Sequence, residues 1–219
     1  MENSDFERCW ADYEALMRER PEQFAPSAEF PIVTSKARAK AFAEETGLLV
    51  GVVYRSSYTL FLVDLIDDGG PLYTYERVLP ASERGAVVAV VSTNDKLILL
   101  RQYRHALRNY QWSFPRGFGE VGISSEENVR KELAEEINAS VVSMRHLGRL
   151  VADSGLSGTT ADVFHCQISG HALSANREGI VEIHEATPLE VEEMIAAGKI
   201  TDGFTVAAYF LYAKNEFRI

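Results

Sequence analysis

Pro115 to Ala139 reads PRGFGEVGISSEENVRKELAEEINA, a glycine-rich loop running into a helix that carries Glu132, Glu135 and Glu136. At about 100° per residue those three carboxylates fall within one arc, beside a separate apolar stripe of Val129, Leu133 and Ile137. The helix start is marked by Ser124 with Glu127 three residues on, the form of a capping box. Gly117, Gly119 and Gly122 in the preceding loop allow the backbone to come close to a ligand. Three ionised carboxylates on adjacent turns repel one another, and Lys131 at i−4 to Glu135 cannot neutralise all of them. A divalent cation with oxygen ligands, Mg²⁺ above all, answers that arrangement and is commonly shared with phosphate groups. An acidic helix face that is simply solvated is the alternative; the glycine-rich loop in front of it favours a site.

Working outward, the chain has 219 residues, 46% hydrophobic and 25% charged, which suits a folded globular protein. Its formal charge of −10 disfavours non-specific nucleic-acid binding, and it admits a phosphorylated small molecule through metal. Cys9 and Cys166 are too sparse for a disulfide framework, and their spacing does not form a zinc site. No apolar run reaches the ~20 residues of a membrane span, and the acidic start MENSDFERCW is unlike a secretory leader, so a cytoplasmic location is expected.

The periodicity predicts an amphipathic helix from Asp5 to about Arg20, with Phe6, Trp10, Tyr13 or Ala11, and Met17 on its apolar side. After Pro21, Pro26 and Pro31 a second helix, SKARAKAFAEETG, ends at Gly47. From Leu48 the pattern turns to short β-rich runs: LLVGVVYR, YTLFLVDLI and LYTYERVL, then GAVVAVVS and KLILLRQY joined by Thr93-Asn94-Asp95 as a hairpin. RHALRNYQWSFPRG leads from these into the glycine-rich loop. Beyond the acidic helix come strands around SMRHLGRLVA and DVFHCQIS and from Ile180 to Ala186. A helix then starts at Thr187-Pro188, with Glu190 completing a second capping box, and an apolar terminal helix follows in GFTVAAYFLYAKN. Strands and helices in non-alternating order indicate an α+β fold, an α/β/α sandwich with a mixed sheet. The expected organisation is a helical extension over 1–47, a β-rich region over 48–80 and a main domain over 81–219.

The central stretch resembles the box of the Nudix hydrolases: Gly, five residues, Glu, seven residues, then Arg-Glu-U-x-Glu-Glu-x-Gly-U with U aliphatic. Gly117 opens it, and KELAEEINA from Lys131 to Ala139 fills the second half without a gap. Three positions depart: Ile123 stands at the first glutamate, Lys131 at the arginine and Asn138 at the last glycine. Asn tolerates the left-handed conformation that glycine supplies at a helix end. Ile123 and Lys131 read as a coupled change, because in the family that glutamate and arginine support each other. By this resemblance Glu132 and Glu136 hold Mg²⁺ (Mn²⁺ is possible), Glu135 assists, and the carbonyl of Arg116 is a further ligand.

R-Q-Y-R at 101–104, WSFPRG and AAGKITDGFT resemble the ADP-ribose pyrophosphatase branch. That implies substrate contacts from Arg101, Arg104, Arg116 and Gly117; pairing with acids such as Glu76 or Glu120 is the structural alternative for the first two. It also implies a general base from a late loop, Glu178 in NREGIVE with Glu182 or Glu120 as alternatives, and a homodimer formed through the N-terminal strands, with 48–79 able to serve that role. The implied substrate is a nucleoside diphosphate sugar, with ADP-ribose the best guess. The branch usually has a proline downstream of the box, and VADSGLSG has none, so ADP-glucose or GDP-mannose stay open. The rival reading is a Nudix-like module that binds a nucleotide sugar or a protein partner without turnover. The five histidines show no ligand spacing, and Tyr73, Tyr75 and Trp112 could stack on a base or sugar, although aromatic side chains at strand positions are core more often than not.

Overall fold

β4 (Ala86–Thr93) decides the layering, because its run of apolar residues is buried on both sides. Alternation sends Val87, Ala89 and Val91 to one face and Val88 and Val90 to the other. The first face is covered by α3 (Ser125–Ile137) through Val129, Leu133 and Ile137. The second is covered by α4 (Pro188–Ala196) and α5 (Gly203–Phe217) through Val191, Met194, Ala208, Tyr209 and Tyr212. The structure is a computed structural model that describes residues 3–81, 85–173 and 179–217.

The chain divides into two compact units, Met1–Glu83 with Asp153–Gly158, and Arg84–Ala152 with Thr159–Ile219. In the first, α1 (Asn3–Glu19) and α2 (Lys36–Thr46) pack on a sheet of β1 (Gly51–Arg55), β2 (Thr59–Ile66) and β3 (Tyr73–Pro80). The helices and strands share one core, with Phe6, Trp10, Tyr13 and Leu16 against Val52, Leu60 and Leu62. Tyr13 rather than Ala11 carries the apolar stripe, and Met17 sits at its border. Gly47, in the left-handed region at φ 77°, ends α2. The segment 153–158 joins this unit through the β3 edge, where Val78 N–H donates to the Leu156 carbonyl at 2.8 Å.

The second unit holds a sheet in the order β10-β5-β4-β9-β8, made by β4, β5 (Lys96–Arg104), β8 (Ser140–Val151), β9 (Thr160–Ser169) and β10 (Ile180–Ala186). Asn94 and Asp95, at φ 46° and 62°, make the β4–β5 turn that their sequence favours. β4 and β9 run parallel and the remaining pairs antiparallel, giving the mixed sheet. RHALRNYQWSFPRG, which carried no strand expectation, holds β6 (Asn109–Ser113) and β7 (Arg116–Phe118). The second capping box forms only in half: Thr187 Oγ1 accepts from Glu190 N–H at 3.2 Å, while the Glu190 carboxylate turns to His184 Nε2 at 2.8 Å.

Candidate active site on the acidic helix

The site is built where β4 and β5 separate. They pair only next to their turn, at Ser92–Leu97 and Thr93–Lys96. Beyond that, β6 pairs with β5 over 100–104 and β7 pairs with β4 over 86–88, so one segment crosses from one strand to the other. Pro115 sits at the crossing, where a residue without an N–H forfeits no ladder bond. Its carbonyl accepts from Ala89 N–H at 2.9 Å. The crossing delivers Arg116 and Gly117 against α3.

The α3 N-terminus is fixed as its sequence requires. Ser124 and Glu127 form both halves of the capping box, and the Glu127 carboxyl is held below its usual range by hydrogen bonds from the Ser124 backbone and side chain. Ser125 Oγ donates to Asp162 Oδ2 on β9 at 2.8 Å. Buried Asn128 donates from Nδ2 to the Phe118 carbonyl at 3.3 Å and so ties the loop to the helix. Asn138 closes α3 at φ 50°, the left-handed role expected of it. Neither Asn128 nor Asp162 has a sequence signal that separates it from ordinary polar surface.

The three acids part company in space. Glu132 turns onto the loop: a Cβ placed on Gly117 would lie 2.0 Å from both Cδ and Oε1 of Glu132, so only glycine leaves room for that carboxylate. Glu136 is buried, at 7% exposure. Glu135 faces outward and meets Lys131 Nζ at 3.7 Å. Lys131 also bonds the Glu120 carboxylate on the loop. The change at Ile123 and Lys131 therefore does not leave the lysine without an acid, since its long flexible stem reaches Glu120. Among the described residues no three or more His, Cys, Asp or Glu side chains gather into a ready-made metal cluster. Glu132, Glu136 and the Arg116 carbonyl are the oxygen donors that could hold a divalent cation here, a donor type that suits Mg²⁺.

The arginines divide as well. Arg101 pairs with Glu182 at 3.4 Å and lies over the Tyr110 ring at 4.8 Å, so its acid is neither Glu76 nor Glu120. Arg104 is half-buried, donates to Ser113 Oγ at 3.3 Å, and its Nε finds no hydrogen-bond partner among the described residues. Burial and the neighbouring Arg116 cation lower its pKa from the usual guanidinium value, opposed by Asp202 and Glu136. Arg116 extends its guanidinium to Asp202 at 2.9 Å and over the Phe204 ring at 5.2 Å. Of the proposed bases, Glu120 and Glu182 are both in salt bridges, and Glu178 lies outside the described residues.

A cavity of about 580 Å³ lies elsewhere, lined by Trp112, Glu182, His184, Glu190, Glu193 and Met194 among others, with nothing contributed by α3. Trp112 and His184 rings lie 5.6 Å apart there. Both cysteines are free and buried, and burial pushes the Cys166 thiol up to about 12, which keeps it protonated and inert. No helix among the described residues is long and apolar enough to cross a membrane.

Residues 82–203, more than half of the chain, match the NUDIX domain. The chain belongs to the Nudix family. In this Nudix chain the matched region runs from just before β4 to the start of α5, so it contains the crossing, the loop and α3. The ADP compounds hydrolase NudE of Escherichia coli (strain K12) is 34% identical over 113 residues, 51% of this chain. That match spans 60% of the relative's length, less than two thirds. A crystal structure of an ADP compounds hydrolase superposes with a TM-score of 0.68, covering 78% of this chain and 95% of its own, at 22% identity. At that identity the likeness speaks for the Nudix fold alone.

Proposed function

We propose that this Nudix chain is a Mg²⁺-dependent pyrophosphatase that cleaves the diphosphate of a nucleoside diphosphate sugar, with ADP-ribose, giving AMP and ribose 5-phosphate, as its first candidate substrate. The observation that carries the reading is the seat of Glu132 on Gly117, with Glu136 buried one turn later on the same helix. That placement sets one carboxylate against the loop backbone and a second, buried one, on the same side of the helix four residues on. The similarity to the E. coli ADP compounds hydrolase supports a diphosphate substrate.

Glu132, Glu136 and the Arg116 carbonyl would hold Mg²⁺ or Mn²⁺. When bound, such an ion neutralises phosphate charge and acidifies the attacking water. Arg104, half-buried with its Nε inside, contacts the diphosphate. Gly117 admits the substrate and Glu132 to the same backbone. Glu135 assists from the outer helix face, where it shares Lys131 with Glu120. Glu178 serves as general base, since Glu120 and Glu182 are committed to Lys131 and Arg101. The chain acts as a homodimer, for which sedimentation should return about twice 24.4 kDa.

The test is a panel of ADP-ribose, ADP-glucose and GDP-mannose with Mg²⁺, followed by nucleoside monophosphate release. Release from at least one compound, lost in EDTA, is expected. Tight binding without release would favour the non-catalytic module, for which Ile123 at a box glutamate is the argument.

A further inference from the structure

We propose that Asp202 is a positioning residue for the site. Its carboxylate fixes Arg116 and, with Thr201 and Thr205, holds the crossing segment 111–116 in register against α3. The catalytic consequence rests on the pyrophosphatase reading; the mechanical one does not.

Three side-chain bonds join the same two segments. Thr201 Oγ1 donates to Gln111 Oε1 at 2.8 Å, Arg116 donates to Asp202 at 2.9 Å, and Phe114 N–H donates to Thr205 Oγ1 at 3.2 Å. The last takes up an amide that has left the β5 ladder and has not yet joined β4. Thr205 is fully buried and Asp202 is only 12% exposed in its side chain. The two Asp202 oxygens are divided in their work. Oδ1 accepts from Thr205 N–H at 2.9 Å and from Thr205 Oγ1 at 2.8 Å, capping α5, while Oδ2 meets the Arg116 guanidinium. An amide cannot replace both, because its NH₂ would face a group that only donates.

The residue after Arg116 has no slack. Gly117 touches the Glu132 carboxylate so closely that a small shift of the strand moves that acid. The Asp202 carboxylate is the acid that Arg116 meets, at 2.9 Å. A displaced 116–117 backbone would misplace reacting groups while leaving most binding contacts in place.

Asp202→Asn keeps a capping oxygen for α5 and removes the hold on Arg116. It should lower kcat for ADP-ribose by ~10–100-fold, the scale of an ångström misplacement, with KM changed less than about threefold and a melting temperature lowered by the loss of a largely buried ion pair. Arg116→Gln should give a matching kcat loss, and the double variant no further loss. Amide hydrogen exchange over 116–119 should accelerate in Asp202→Asn while 97–100 stays protected. A wild-type kcat with unaltered exchange would overturn the proposal, as would fully additive losses. If the wild type cleaves no diphosphate, the functional reading fails, and the exchange comparison alone decides the role of Asp202.

Discussion

Gly117 is the position at which one methyl group has the most to say. The atoms an alanine Cβ would strike are the far end of the Glu132 side chain rather than backbone. Gly117→Ala should therefore fold with a melting temperature close to wild type and lose turnover by ~10²-fold or more, because Glu132 is pushed from the loop. Retained turnover would show that Glu132 need not sit there. His165 gives a residue-scale prediction for stability. Its Nε2 lies 2.9 Å from Ser92 Oγ, and burial pulls the imidazole pKa down, with Glu216 opposing and Arg145 assisting. The native state is then neutral where the unfolded chain, titrating near about 6.5, takes up a proton. The contribution is present above that pH and lost as pH falls through the lowered native value. Unfolding free energies at pH 8 and pH 5.5 should differ less for His165→Gln than for wild type; equal slopes would contradict this. Periodicity placed Glu132, Glu135 and Glu136 in one arc. The Glu135–Lys131 pair, four residues apart on one helix, was legible as well; that Glu132 would turn onto Gly117 was not, because it depends on the loop folding back against the helix.

Among the elements, α3 was the most legible, since its cap, stripe and end are all local. Ser124→Ala should cost about 1 kcal/mol, the usual value of a lost N-cap. Asn138→Ala should cost about 1 kcal/mol or more for a side chain forced left-handed. Denaturant unfolding of both variants checks the pair, and a neutral Asn138→Ala would mean the helix ends differently. The β4–β5 hairpin was legible for the same reason, its Asn94-Asp95 turn being written in the residues that make it. The crossing through β6 and β7 was not. Its residues pair with partners set by the sheet, and Phe114 and Thr205 meet across 91 positions of sequence. Glu190 shows the converse error: its local pattern promised a capping box, and His184, brought alongside by β10, took the carboxylate instead.

At the scale of the whole molecule, the apolar run of β4, read in the sequence only as one strand of a hairpin, is buried on both faces and is covered by helices on each side. The chain divides into its two units at Glu83/Arg84, whereas the change of pattern read in the sequence lies at Leu48, inside the first unit. The return of 153–158 to the first unit did not show, because it rests on backbone bonds to β3 that no composition records. The charge of −10 and the acids of α3 become consistent with a phosphate-bearing substrate only through a divalent cation. The most direct measurement is nucleoside monophosphate release from ADP-ribose across a Mg²⁺ titration, for the wild type and for Glu136→Gln. The wild type should saturate with Mg²⁺ and fall to background in EDTA, and Glu136→Gln should lose ~10²-fold or more in rate at every Mg²⁺ concentration. Metal-independent release, or an undiminished rate in Glu136→Gln, would contradict the account.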